Sequence, residues 1–222
     1  MDTLLTDLIR FTPKLLEGTW ITIELTVLSL FFSLLLGLIV ALGKMSRNKW
    51  INRVCNVYIS ILRGTPLLVQ LMYVYFVMPE LGLELSALQA AVVGLSINES
   101  AYMAEIFRAG IQSIPKGQTE AAKAIGMDDW LAMRRIILPQ AWRNMLPAIG
   151  NSAIALTKNS SLAAVITVAE LMHQGNLLAA ATFKNMFIFT CVGVIYWLLH
   201  YPLALLVDYL EKRGGRKHAR AH

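Results

Sequence analysis

Residues 20–42 read WITIELTVLSLFFSLLLGLIVAL, a run of 23 residues whose only charge is Glu24. At ~1.5 Å per residue, a helix of this length spans about 35 Å, which is enough to cross a hydrocarbon core of ~30 Å with some tilt. The chain is therefore predicted to be an all-α membrane protein. About five transmembrane helices are predicted. They are this run and four further apolar blocks, at residues 54–78, 87–111, 146–168 and 186–206.

Composition favours membrane spans over one large soluble core. Hydrophobic residues make up 56% of the chain and charged residues 15%, against roughly 25% charged in soluble domains. The apolar residues stand in long blocks instead of short periodic stripes. The net charge of +6 would suggest nucleic acid in a soluble protein, but here the basic residues flank the apolar blocks. We therefore expect a lipid bilayer as the surroundings, no nucleic acid partner, and a single transmembrane domain over residues 1–222.

The distribution of Lys and Arg predicts the orientation. Four lie in residues 43–53, five in residues 113–145 and five after Leu210, which puts fourteen on one side of the five-span arrangement. The other side carries three, two in the N-terminal arm and one in the connection before the fifth span. Because cytoplasmic loops carry the excess of Lys and Arg, the N-terminus is predicted outside and the C-terminus in the cytoplasm.

The cytoplasmic connection at residues 113–145 is too long and too patterned to be a simple loop. Its first half is rich in helix formers and ends at Gly126, which is expected at the φ > 0 of a helix C-terminus. Asp128 or Asp129 is placed to cap a second short helix. Pro139 is expected to end that second helix.

This connection resembles the EAA loop, the signature of ABC importer permeases of type I. In that family the loop forms coupling helices that dock into a groove on the cytoplasmic ATPase subunit. An ordinary helix–glycine–helix loop is the alternative. The resemblance implies an ATPase-coupling role for the residues that match the signature, namely Glu120, Ala121, Ala122, Gly126, Ile136, Leu138 and Pro139.

The rest of the chain resembles one branch of these permeases, the polar amino acid permeases of the histidine/glutamine type. The matching residues are Arg63 to Leu67 with Gln70, then Asn98 to Tyr102 with Glu105 and Arg108 to Gly110, and lastly Lys158 to Leu162. Two positions depart from the pattern. Asn159 stands where an acid is common, and Glu99 stands where Ser or Thr is common.

The resemblance implies the transmembrane subunit of an ATP-driven, binding-protein-dependent importer of a polar amino acid, in the bacterial cytoplasmic (inner) membrane. The chain contains no G-x-x-x-x-G-K-[ST] sequence, so the ATPase is expected as a separate subunit that binds ATP and magnesium, and this chain is expected to be non-catalytic and without a cofactor or metal. The expected partners are an ATPase dimer, a second permease copy or paralogue, an extracytoplasmic substrate-binding protein and the amino acid. A secondary transporter or channel is the alternative, although such proteins usually have more spans and internal repeats.

Polar residues near the middle of the third and fourth spans form the predicted substrate site. Glu99 and Lys158 each lie some 18 Å along a span at ~1.5 Å per residue, where an unpaired charge costs ~2.5–3.5 kcal/mol. A structural ion pair between these two residues is the alternative. Glu105 with Arg108 is expected to be a structural pair, and Arg63 is expected to snorkel or to cap backbone at a kink. The predicted substrate-binding residues are Asn98, Glu99, Tyr102, Lys158, Asn159, Ser160 and Ser161.

Overall fold

The computed structural model describes residues 2–218, and these residues form eight helices and no strand. The helices are α1 (Asp2–Lys44), α2 (Lys49–Gly64), α3 (Leu67–Leu81), α4 (Ala87–Gln112), α5 (Lys116–Ala124), α6 (Asp129–Ile166), α7 (Leu171–Thr182) and α8 (Asn185–His218). The all-α prediction is confirmed. Helices α3 and α6 each contain a short π-helical turn and a final 3₁₀ turn.

Helix α1 is the central element of the packing. The first apolar block was expected at residues 20–42, whereas the helix itself begins at Asp2 and has 43 residues. It contributes to three apolar clusters: Leu25 packs with residues of α3, α4 and α6, Ala41 packs with α2, α4 and α6, and Phe11 packs with α7 and α8. Its most extensive contact is with α4.

A glycine allows α1 and α4 to approach closely. A Cβ atom added at Gly37 would lie 2.5 Å from Met103 Cβ and 3.1 Å from the backbone oxygen of Ser100. Helices in membranes associate through such small residues, because lipid tails provide no hydrophobic force to drive helices together. The short side chain at position 37 therefore sets the distance between the two helices.

The second predicted span bends at Thr65 and Pro66. Helices α2 and α3 meet there at 105°. Proline lacks an N–H and disfavours the helical conformation of the preceding residue, so α2 ends at Gly64 and α3 starts anew at Leu67. The Gln70 amide bridges the break by donating to the backbone oxygens of Leu62 (2.9 Å) and Thr65 (3.2 Å).

Pro139 does not end a helix, and that part of the sequence prediction is wrong. Helix α6 runs without interruption from Asp129 to Ile166, so the second cytoplasmic helix and the predicted fourth span are one element. A π-helical turn at Met133–Ile137 precedes the proline, and the Leu138 N–H donates to the Met133 oxygen, one residue further back than in an α-helix. Pro139 then occupies the start of the following α-helical stretch, where a missing N–H costs little.

Two helices, α1 and α8, qualify singly as membrane spans by length and apolar composition, and up to four spans result if each bent pair counts as one. The bent pairs are α2 with α3 and α6 with α7, the second at 51°. Helix α4 has 26 residues and contains Glu99, Glu105 and Arg108. The chain thus has helices long and apolar enough for a membrane protein, and the number of five spans stays a prediction.

Ionic contacts connect distant segments at each end of the bundle. At one end, Lys184 in the connection before α8 bonds to Asp7 near the start of α1. At the other end, Lys44 bonds to Glu105 of α4, and Arg47 lies close enough to act on the charge of Asp129. The connection after α1 and the connection before α6 therefore lie at the same end, opposite to the N-terminus.

Candidate functional site

A cavity of about 450 Å³ opens where the break between α2 and α3 meets α4 and α6. Its volume falls within the range of small-molecule sites, roughly 300–1,000 Å³. Four of the seven predicted substrate-binding residues line it. The lining residues are Thr65, Pro66, Leu67, Asn98, Glu99, Tyr102, Ser152, Ala155, Asn159 and Leu162.

Glu99 is the only acidic residue on the cavity wall, and its side chain is almost fully withdrawn from solvent, with 4% exposed. Ser152 lies near its carboxylate on the same cavity wall. Among the described residues, no Lys, Arg or His lies within salt-bridge distance of Glu99. The carboxylate therefore has a polar neighbour but no neutralising charge.

Asn98 connects α4 to the break in the second predicted span. Its amide nitrogen donates to the Leu62 backbone oxygen (3.2 Å) and to Gln70 Oε1 (3.1 Å). Gln70 also donates to Thr65 Oγ1 at 2.8 Å. Because these bonds fix the chain on both sides of Pro66, Asn98 both lines the cavity and holds the bend that shapes it.

Tyr102 lies one turn after Glu99 on the same face of α4 and also lines the cavity. The guanidinium carbon of Arg63, the last basic residue of α2, lies 5.1 Å from the centre of its ring. This distance is that of a cation–π contact. Arg63 was expected to snorkel or to cap backbone, and the structure places it instead against a residue of the cavity wall.

Lys158, Ser160 and Ser161 do not line the cavity. Lys158 is exposed because successive residues of a helix differ by about 100° in direction, so that Asn159 faces the cavity and its neighbour points away from it. The Ser160 and Ser161 hydroxyls donate to the backbone oxygens three residues earlier, each at 2.7 Å. Within the described part of the chain Lys158 has no acid at salt-bridge distance, so an ion pair with Glu99 is not present.

The predicted coupling segment, the connection at residues 113–145, forms the expected helix–glycine–helix arrangement. Gly126 has φ +83°, its N–H donates to the Lys123 oxygen, and the Met127 N–H donates to the Ala122 oxygen, both at 3.0 Å. These two bonds define a Schellman motif, which requires a left-handed residue at the glycine. Asp128 then caps α6 by accepting from the Leu131 N–H at 2.8 Å.

A surface ion pair connects helices α5 and α6. Lys123 Nζ of α5 lies 2.8 Å from the Asp129 carboxylate of α6. This hydrogen bond and the charge of Lys123 hold the pKa of Asp129 below its usual range, and the charge of Arg47 adds to the effect. Because the folded-state pKa is lowered, this contact is complete at neutral pH and is lost only when the pH falls through that lowered pKa.

Most side chains of the predicted coupling residues are accessible. Ala122 is buried and Ile136 is half-buried, whereas Glu120, Ala121, Gly126, Leu138 and Pro139 are exposed. Ile125 and Trp130, which flank the turn, are each 73% exposed. The turn therefore presents two large apolar side chains at the end of the bundle where the basic connections lie.

Comparison with known proteins decides the family of the chain. The profile of the family described as "Binding-protein-dependent transport system inner membrane component" matches residues 33–215. The chain belongs to this family. It is an inner-membrane component of a binding-protein-dependent transport system.

Similar proteins cover nearly the whole chain. The L-cystine transport system permease protein of Bacillus subtilis (strain 168) is 40% identical over 95% of this chain and 91% of that protein. The arginine transport system permease protein of the same organism is 41% identical over 92% of each chain. A solved structure, described as an amino acid ABC transporter with histidines, has a TM-score of 0.88 and 39% identity over 94% of this chain and 97% of that one.

The transport component has a second polar cluster that the sequence predicted in part. Glu105 and Arg108 form the expected pair, with Arg108 Nε donating to Glu105 Oε2 at 2.9 Å. Lys44 of α1 bonds to the other carboxylate oxygen. The cluster thus links two helices instead of one helix to itself.

Two groups of residues at these sites were not predicted from the sequence. The cavity wall includes Ser152, Ala155 and Leu162, which with Asn159 follow the i, i+3, i+7, i+10 spacing of one helical face. That spacing could have identified them once Asn159 was chosen. Lys44 gave no local signal, because its partner lies 61 residues further along the chain.

Proposed function

We propose that the chain is one permease subunit of an importer that moves a polar amino acid across the bacterial cytoplasmic membrane. The similar proteins named above, a cystine and an arginine permease, support an amino acid as the solute. The observation that carries the proposal is the cavity with Glu99, Asn98 and Asn159 on its wall. Burying a charged or polar solute requires such partners, because an unpaired polar group is costly away from water.

Uptake by the reconstituted transporter tests the role of the cavity. Replacing Glu99 by Gln keeps the shape of the side chain and removes its charge. We expect uptake of radiolabelled amino acid to fall at least about tenfold, because a hydrogen bond to a charged group contributes roughly 1.5–3 kcal/mol and 1.4 kcal/mol corresponds to a factor of ten. Glu84→Gln, at an exposed acid between α3 and α4, is the matched control. Equal uptake by the two variants would show that the cavity does not bind the transported amino acid.

We also propose that the coupling segment docks onto a separate ATPase subunit that binds ATP and magnesium. The apolar side chains of Ile125 and Trp130 lie on either side of the rigid turn at Gly126, and interfaces are enriched in such exposed aromatic anchors. Glu120 and Leu138 of the same segment are exposed as well. A short segment fixed by a Schellman motif and an ion pair transmits displacement better than a mobile loop.

Co-purification of the ATPase tests this docking surface. Trp130→Ala removes an aromatic side chain that is 73% exposed and makes no core contact, so the permease itself is expected to fold. We expect less ATPase to be retained and hydrolysis to respond less to substrate. Trp20→Ala is a matched control, because Trp20 is 68% exposed on α1, far from the coupling segment. Full retention of the ATPase by Trp130→Ala would contradict the docking proposal.

The remaining partners follow from the size of the chain. Eight helices, with up to four spans besides α4, form a small wall for a solute pathway, so we propose that a second permease copy or paralogue completes it. A binding protein would deliver the amino acid at the face that carries the N-terminus, in accord with the name of the family. Arg47 and Asp129 lie at one end, and Asp7 and Lys184 lie at the other, so the two basic connections are opposite to the N-terminus. Because cytoplasmic loops carry the excess of Lys and Arg, this placement supports the arrangement with the N-terminus outside.

A further inference from the structure

The cavity wall carries an acid, Glu99, and a cation, Arg63, stacks on the wall residue Tyr102. Among the described residues, Glu99 has Ser152 as a polar neighbour but no basic partner, and Arg63 has no acid within salt-bridge distance. Tyr102 stands between them: it follows Glu99 by three residues on α4, and its ring carries the Arg63 guanidinium 5.1 Å from the ring centre. The acidic and aromatic residues of the wall thus adjoin a cation that contacts the ring of Tyr102.

Because Glu99 and Arg63 both lack a partner of opposite charge, they favour a ligand that carries a positive and a negative group. A charge within a membrane protein is costly unless it is paired or hydrated, and Glu99 and Arg63 form no ion pair with each other. A ligand with an ammonium group and a carboxylate group would satisfy both charges at once. A solute with an additional positive or negative charge would leave one charge without a partner.

Arg63 has the chemistry of a carboxylate receptor. Its planar guanidinium presents donors in the fork geometry that binds a carboxylate in a bidentate manner, and stacking on an aromatic face orders that fork. Its side chain is exposed next to Thr65 and Pro66, which line the cavity. Lys158, the cation that the sequence suggested for this task, points away from the cavity.

We propose that Arg63, stacked on Tyr102, binds the α-carboxylate of the transported amino acid, that Glu99 binds its ammonium group, and that the cavity thereby selects amino acids of zero net charge. This inference rests on the proposed amino acid transport. It adds a specificity-determining residue, Arg63, and a substrate class to that function.

Direct binding to the permease in lipid nanodiscs, with its ATPase and without a binding protein, tests the inference. The probes are the twenty standard amino acids and L-cystine, followed by the α-carboxamide and the N-acetyl derivative of the one that binds most tightly. The tightest probe is expected to have zero net charge, and arginine, lysine, aspartate and glutamate are expected to bind at least about tenfold more weakly. Tightest binding by a charged amino acid, or no binding by any probe, would overturn the inference. The proposed transport, measured separately as uptake with the binding protein, would then still stand.

Variants assign each charge to one group of the ligand. Wild type should reject both derivatives. Arg63→Gln should bind the free amino acid at least about tenfold more weakly and no longer distinguish it from the carboxamide. Glu99→Gln should also bind the free amino acid at least about tenfold more weakly and no longer distinguish it from the N-acetyl derivative. Arg63→Lys, which keeps the charge, should recover part of the discrimination, whereas Arg53→Gln, at an exposed residue of the same helix α2, should behave as wild type. Unchanged affinity and discrimination in Arg63→Gln would overturn the role of Arg63.

Discussion

Gly37 shows how a single side chain sets the distance between two helices. A Cβ at this position would meet both a side chain and the backbone of α4, at 2.5 Å and 3.1 Å, and backbone atoms cannot move aside as the end of a side chain does. We expect Gly37→Ala to destabilise the protein by about 1–3 kcal/mol, the usual cost of overpacking. Thermal unfolding in detergent measures this. Gly193→Ala is the control: apart from its neighbours and the backbone of its own helix, no described residue lies within 4 Å of the added methyl group, so the unfolding temperature should hardly change.

Gly126 is constrained by backbone conformation alone. Apart from its two chain neighbours, no described residue lies within 4 Å of a Cβ placed there, but its φ of +83° is disfavoured for every residue with a side chain. We expect Gly126→Ala to cost roughly 1–2 kcal/mol locally and to lower substrate-stimulated ATP hydrolysis by the assembled transporter, and Gly126→Val to lower it further. Gly117→Ala, in open space within α5 at an ordinary φ, should keep full activity. Equal activity of the two alanine variants would show that the turn geometry is not needed.

For single residues, the sequence predicted which residues could form the site better than it predicted the directions in which their side chains point. Asn98, Glu99 and Tyr102 could be chosen together, because their spacing places them on one face of a long helix whose register is fixed by the apolar pattern. Lys158 was chosen from its depth and charge. Its direction depends on how α6 is rotated against α4 and α8, and that rotation is decided by contacts that no local pattern specifies.

Glu170 determines how α7 begins inside the bundle. It is fully buried, and its carboxylate accepts from the backbone N–H groups of Met172 (2.9 Å) and His173 (2.8 Å) and from the Tyr196 hydroxyl of α8 (2.8 Å). We expect Glu170→Ala to destabilise the protein by about 2–4 kcal/mol, because it removes a helix cap and leaves buried donors without partners. Tyr196→Phe removes a single bond and should cost about 1 kcal/mol. The same unfolding measurement applies, and an effect of Glu170→Ala no larger than that of the exposed Glu84→Ala would contradict this role.

Pro66 and Pro139 show why a break between helices cannot always be predicted from a proline in the sequence. Pro66 follows a Gly-Thr pair and has no preceding π-helical turn, so the chain bends by 105°. Pro139 has the same ring and the same missing N–H, yet the π-helical turn before it lets the helix continue. The length of a turn before a proline depends on packing of residues such as Ile137 against the bundle, so the sequence alone could not distinguish the two prolines.

The surface of the whole molecule is consistent with a lipid environment around α1 and α8. In the most apolar windows of these helices only 33% and 11% of residues are buried within the chain, although the mean hydropathy of the windows is 2.7 and 1.7. Large side chains such as Phe31, Ile39 and Trp197 are more than half exposed. In water such a surface would associate, so lipid or the proposed second permease must cover it.

The orientation across the membrane can be tested with single cysteines in a variant whose native Cys55 and Cys191, both free thiols, are replaced by alanine. If fourteen basic residues face the cytoplasm, cysteines at Arg47 and Gln118 should react with an impermeant maleimide only after the cells are opened. Cysteines at Glu84 and Phe183, both exposed in connections at the opposite end, should react in intact cells. The two classes depend on α4 crossing the membrane despite its three charged residues, because without that crossing Glu84 and Gln118 would lie on the same side. Labelling of Glu84 and Gln118 in the same class would therefore rule out the five-span arrangement, whereas a complete exchange of the two classes would retain it with the opposite orientation.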